Sequence, residues 1–255
     1  MDCIICNKPV IKNSLEHIVP EGLGNKSYTL DLGAICGVCN NSFSAFEAKA
    51  LSTGILAMSR PMAGIQTKKG KPAKGESHGL RFEGNKDYTE NQITVFGLTE
   101  DNVLEIKEDG SYVVNVPDFD KNEVSVSKLL LKISIEALYQ SQRALYRKTD
   151  LEEVRKYLDK KNNVDWPFVT TKLKPSDFKS VPRFQDKLYL KKINCEILYK
   201  IISPQIFLIN FRYKFLSYLI NITSRDMSWI EPYRELDNTL GIQLLKSTKR
   251  MPTID

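Results

Sequence analysis

The chain has 255 residues, of which 42% are hydrophobic and 27% charged, with 11 Pro and 13 Gly. That globular balance excludes a disordered chain and suits one large domain or two small ones. The formal net charge of +6 permits a polyanionic partner without demanding one. No run of about 18 uncharged apolar residues occurs, which excludes a membrane-spanning helix. The most apolar window, Ile197 to Ile222, is broken by Lys200, Arg212 and Lys214. The opening MDCIICNK lacks the basic segment and apolar run of a secretory signal, so the expected location is cytoplasmic.

Four of the five cysteines form two pairs of one spacing, Cys3-x-x-Cys6 and Cys36-x-x-Cys39. In a chain without a secretory signal, that pattern favours a metal over a disulfide framework. Two intervening residues let a tight turn aim both sulfurs at one ion, and a second such turn completes a tetrahedral shell around zinc. A redox dithiol normally occurs once, at a helix N-terminus in a βαβ unit, and no such unit is legible here. Cys195, in the strand-like run NCEILYKII, reads as a small buried apolar residue.

Between the pairs stands Leu15-Glu16-His17-Ile18-Val19-Pro20, then Gly22-Leu23-Gly24-Asn25. This reads as a strand that ends at a Gly-rich turn. His17 can serve as a general base and Glu16 as a ligand for a hard cation. The plainer alternative is a surface glutamate beside a structural histidine. Successive strand residues point to opposite faces, so both serve one site only if the strand bends or the cation lies to one side. A second strand is expected over roughly residues 28–35. Phe43, Phe46, Ala50 and Leu51 then recur at helical spacing, with Asn or Ser near the start to cap the helix. Some fifty residues bury little core unaided, so a zinc staple joining the first and last elements would hold the module together.

The ordered set Cys3-x-x-Cys6, Glu16-His17-Ile18-Val19-Pro20-x-x-Leu23-Gly24 and Cys36-x-x-Cys39-Asn40-Asn41 resembles the HNH family of ββα-metal endonucleases, in its zinc-stapled branch. The resemblance covers residues 1 to 52. It implies a ββα finger that cuts a phosphodiester bond with one divalent cation, Mg²⁺ or Mn²⁺. It further implies that His17 polarises the attacking water and that Glu16 and Asn40 hold the cation, with Asn41 as the alternative ligand. Cys3, Cys6, Cys36 and Cys39 would hold a structural zinc that has no open position for chemistry. An imidazole is the natural base near neutral pH, and a hard cation wants carboxylate and amide oxygens. Two departures stand out. The central asparagine that commonly orients the base is missing from residues 28–35, YTLDLGAI, which leaves Asp31 or a backbone carbonyl for that task, with Asn25 earlier in the turn. Asn40 stands where a histidine is frequent. Glu47 reads as a solvated helix residue, with a ligand or supporting carboxylate as the alternative.

Residues 60–75 carry Arg60, Lys68, Lys69, Lys71 and Lys74 with no acidic residue. They read either as a solvated linker or as phosphate contacts, which would be independent of sequence and sensitive to salt. His78 falls in a polar turn and receives no role. Short strands are expected at 93–96, 103–106 and 112–116, and a helix over 127–146. A capping box at Asp150 and Glu153 should open a second helix ending near Leu158. Apolar runs at 188–190, 195–202, 205–212 and 214–222 read as a meander of strands. FRYKFLSY is read there as core strand before base-stacking surface. The expected fold class is α+β: a finger at 1–59, a basic linker or loop at 60–78, and an α+β domain at 79–255. That last domain would contact DNA, bind a protein partner or regulate. The leading function is a metal-dependent DNA endonuclease, with RNA not excluded as a substrate. The alternative is a zinc-stapled DNA-binding or interaction module that does not cut. By family analogy, standalone proteins of this kind belong to mobile elements or to phage defence.

Overall fold

The computed structural model describes residues 2–11, 14–52, 54–67, 69–114, 123–159, 166–171 and 176–236. Its class is α+β. After a cysteine turn, the chain forms a minimal antiparallel pair in which His17 bridges Thr29, flanked by the bonds Ile18 N to Tyr28 O (3.2 Å) and Leu30 N to Glu16 O (2.9 Å). Helix α1 (Gly37–Leu51) follows. The expected second strand is thus reduced to a bridge, and the helix starts earlier than its apolar spacing suggested, taking Cys39 and Asn40 into its first turn.

Next come α2 (Gly54–Met62), β1 (Lys74–Ser77), β2 (Leu80–Gly84), β3 (Ile93–Phe96), β4 (Val103–Ile106) and β5 (Tyr112–Val114). Strands β1, β2 and β3 form an antiparallel sheet in that order, and β4 pairs with β5. Gly75, Ser77, Leu80 and Phe82 alternate inward, while Lys74, Glu76 and Arg81 face out. Ala57 of α2 joins Leu80 and Phe82 in one core. Gly75 is required there, because a Cβ at that position would come within 2.3 Å of the Ala57 carbonyl oxygen. The strands at 93–96 and 103–106 lie where the sequence placed them; residues 115 and 116 lie outside the described residues. Both ends of the expected linker are regular structure, since residues 60–62 close α2 and residues 74–77 are β1.

The chain continues with α3 (Glu123–Ser141), α4 (Arg143–Lys148), α5 (Glu152–Asp159), β6 (Phe168–Thr170), β7 (Lys179–Ser180), α6 (Phe184–Lys192), β8 (Cys195–Ser203), β9 (Ile206–Tyr213), β10 (Leu216–Asn221) and α7 (Glu231–Leu236). One antiparallel sheet runs in the order β6-β10-β9-β8-β7. Val169, Leu208 and Leu219 from it pack with Trp229, Ile230 and Tyr233. The single helix expected over 127–146 is broken at Gln142, where ψ is 53° and the side-chain amide donates to Val181 O at 2.9 Å. Residues 188–190 are not a strand but part of α6, in which only Leu190 is buried. A run of three residues is too short for its period to tell strand from helix. Lys214, with φ 55°, turns β9 into β10, so FRYKFLSY is a hairpin of core strands. Cys195 is buried with a free thiol.

Two compact units make up the chain. One comprises Met1–Glu21, Asn25–Glu47 and Glu123–Asp255, the other Gly22–Gly24 and Ala48–Asn122. They differ from the boundaries expected from composition, because α3 and the five-stranded sheet belong with the cysteine turns and the His17 bridge. Among the described residues, no helix is long and apolar enough to cross a membrane.

Candidate functional site

The two C-x-x-C turns converge. One ligand atom from each of Cys3, Cys6, Cys36 and Cys39 lies within 4.8 Å of the others, and all four cysteines are free of disulfides. Zinc–sulfur bonds of about 2.3 Å in a tetrahedron set sulfurs about 3.8 Å apart, and Cys6 Sγ lies 3.8 Å from Cys36 Sγ. The first turn is closed by Asn7 N to Cys3 O and Cys3 N to Lys8 O, both 2.9 Å. In the second, Cys39 N donates to Cys36 Sγ at 3.4 Å. The Cys39 thiol beside Cys3 holds the Cys3 thiol well below its usual range, while Cys39 is itself raised by sharing that contact. Four converged thiols are a donor set that fits a structural zinc.

The turn between the two bridged segments is organised by Asn25, which is 3% exposed. Its Nδ2 donates to Val19 O (2.7 Å) and Tyr28 O (2.8 Å), and its Oδ1 accepts from the backbone of Ser27 (3.2 Å) and Tyr28 (2.9 Å). Replacing both partners of a buried bond can be neutral, but removing one side leaves the other unsatisfied. Asn25→Ala is therefore expected to cost about 2–4 kcal/mol, read as a lowered midpoint in denaturant with the slope unchanged.

Glu16 and His17 differ in burial. Glu16 is 6% exposed, and its Oε1 is ion-paired with Lys132 of α3. His17 is half-buried, and among the described residues its imidazole makes no hydrogen bond. Its backbone oxygen, however, accepts from Lys132 Nζ at 2.9 Å. The same ammonium lies 3.0 Å from Glu47 Oε1 and 3.2 Å from Glu136 Oε2. The expectation of a solvated Glu47 is thus corrected: the helix turns it inward onto a buried cation. Lys132 and Glu136 are both wholly buried. Burial alone would depress the Lys132 ammonium, but Glu136, Glu47 and Glu16 outweigh it and hold it above its ordinary range. Burial drives the Glu136 carboxyl well above the usual carboxylate range and raises Glu16 too, against the pull of Lys132 in each case.

Asn40 is brought to the strand that carries the histidine. Its Nδ2 donates to Ser14 Oγ (2.6 Å) and Leu15 O (3.3 Å), which directs Oδ1 elsewhere. An amide oxygen and a carboxylate are the oxygen donors a hard cation takes, although Glu16 would share its carboxylate with Lys132. Asn41 is exposed. Among the described residues Asp31 makes no hydrogen bond to the imidazole; its oxygens accept from Gln140 (2.9 Å) and Arg143 (2.7 Å).

Of the basic residues singled out, Lys69 and Lys71 are exposed, and Lys74 pairs with Glu83 at 2.6 Å. Arg60 caps backbone instead, donating to Gly22 O (2.9 Å) and Leu51 O (3.2 Å). Lys68 lies outside the described residues. Lys132 and Glu136 escaped the sequence reading. The available signal was their charge, four residues apart on one helix face, amid the run Leu129 to Leu138, which apart from them and Ser134 is apolar.

Residues 3–54 match the family model described as HNH endonuclease. No curated protein and no solved structure matches the chain.

Proposed function

With an HNH endonuclease domain at residues 3–54 as the premise, we propose that the chain hydrolyses phosphodiester bonds of DNA. His17 accepts the proton of the attacking water as the water oxygen forms its bond to phosphorus and the leaving oxygen departs. Asn40 and Glu16 hold a divalent cation, Mg²⁺ or Mn²⁺, with Asn41 as the alternative to Asn40. When bound, that cation supplies Lewis-acid charge at the phosphoryl and leaving oxygens. Zinc on the four cysteines keeps the finger folded. Exposed Lys69 and Lys71 contribute phosphate contacts that are blind to sequence.

The observation that supports this reading is the arrangement of His17 on the short bridged strand, its imidazole without a hydrogen bond among the described residues, with the first turn of α1 tying Asn40 to Ser14 and Leu15. One observation favours the second reading, a binding module that does not cut: Glu16 is buried and paired with Lys132 rather than open to a cation. Incubation of the zinc-loaded protein with labelled duplex DNA, single-stranded DNA and RNA, in Mg²⁺ or Mn²⁺, separates the two. Cleavage of DNA is the expected result. Binding without cleavage of any of the three would establish the module instead.

A further inference from the structure

We propose that Lys132 is a positioning residue for His17, so that α3 completes a nuclease site whose recognised segment ends at residue 54. The proposal rests on the reading of His17 as the base. The strand that carries His17 holds only one bridged pair, with a backbone bond on either side. So short a strand leaves the peptide plane at His17 weakly fixed by the hairpin alone. Lys132 Nζ supplies the missing constraint. It donates to the His17 carbonyl oxygen at 2.9 Å and is paired with the carboxylate of the preceding residue, Glu16. One ammonium therefore holds the chain on either side of the Cα from which the imidazole projects. Glu47 joins the same ammonium from α1, which refers the helix bearing Asn40 to the same point.

The clamp is anchored firmly. Lys132 is 0% exposed and sits mid-way along α3, which is buried almost continuously from Ser125 to Tyr139. An ammonium withdrawn from water is retained only where its partners are close and well placed. Here four oxygens surround it, and one of them belongs to the backbone of His17. Misplacement of a reacting group by about 1 Å costs on the order of 100-fold in rate, so a residue that fixes this backbone acts on turnover without touching substrate.

The chain has only two histidines, His17 and His78, which gives the test an internal reference. Side-chain ¹H–¹³C spectra of the full-length, zinc-loaded protein, recorded at one pH without added Mg²⁺ or Mn²⁺, are compared for wild type and Lys132→Met. The His17 signals should move while those of His78 stay, with zinc retained. In Mg²⁺, kcat should fall about 10- to 100-fold with KM within about twofold. Should Lys132→Met fail to fold, Glu16→Gln loosens the same clamp without emptying it, and the same His17 signals should move by less. Unmoved His17 signals in a folded variant would overturn the proposal. So would loss of zinc with both histidines shifting together in both variants, which is the behaviour of a cluster that only stabilises the fold. Failure of the nuclease reading looks different: wild type cuts nothing, yet Lys132→Met still moves His17 alone.

Discussion

His17→Ala should abolish cleavage while the protein remains folded with zinc bound. The imidazole is half-buried and without a hydrogen bond among the described residues, so its removal breaks no hydrogen bond among them. The anchoring contacts at this position run through the backbone instead: the bridge to Thr29 and the carbonyl bond from Lys132. Both survive truncation of the side chain. A positioned general base contributes about 10²–10⁴-fold to rate, and the loss should appear in kcat, since the histidine acts on water rather than in holding DNA. Cleavage time courses on one DNA substrate, run beside a thermal melt and a zinc determination, check this. Equal cutting by wild type and variant would refute the assignment of the base.

Cys36→Ser should do the reverse, damaging the fold of the finger first and activity only as a consequence. Cys36 Sγ stands 3.8 Å from Cys6 Sγ and accepts the backbone N–H of Cys39, so it ties the first cysteine turn to the start of α1. Structural zinc in small modules contributes on the order of 10 kcal/mol of apparent folding energy, comparable to the whole stability of a typical domain. The variant should bind less than one zinc per chain and show new protease cleavage within the first fifty or so residues, too few to sustain a core unaided. Wild-type protein stripped of zinc by a strong chelator should show the same cleavage pattern. A Cys36→Ser protein with a full zinc complement and native protease resistance would contradict the staple.

The parts of this architecture that were legible in the sequence are those fixed by spacing over short distances. The C-x-x-C turns, the Glu16-His17 strand and a helix carrying Phe43, Phe46, Ala50 and Leu51 follow from local pattern, though not that helix's start at Gly37, as do β3, β4 and the meander β8 to β10, whose residues alternate or run apolar. Three features were not legible. Strands β1 and β2 hide in the short runs KGES and LRFEG, in which Leu80 and Phe82 are the only bulky apolar residues and Gly75 is fitted to its close approach to Ala57. Residues 188–190 carry too few positions to reveal the period of α6. The clamp at Lys132 joins groups 115 residues apart in the chain, and no local pattern encodes such a meeting. Its only trace is a charged pair embedded in the apolar helix α3, which also explains why Glu47, placed by periodicity alone, was expected in solvent.

The most direct test of the central claim is the nicking of supercoiled plasmid by the zinc-loaded, full-length protein with and without Mg²⁺. Conversion to open-circular and linear forms in Mg²⁺, absent when EDTA removes the divalent cation, is the predicted result. Intact supercoiled plasmid in both conditions, from protein that is folded and carries its zinc, would contradict the account and leave a finger that binds without cutting.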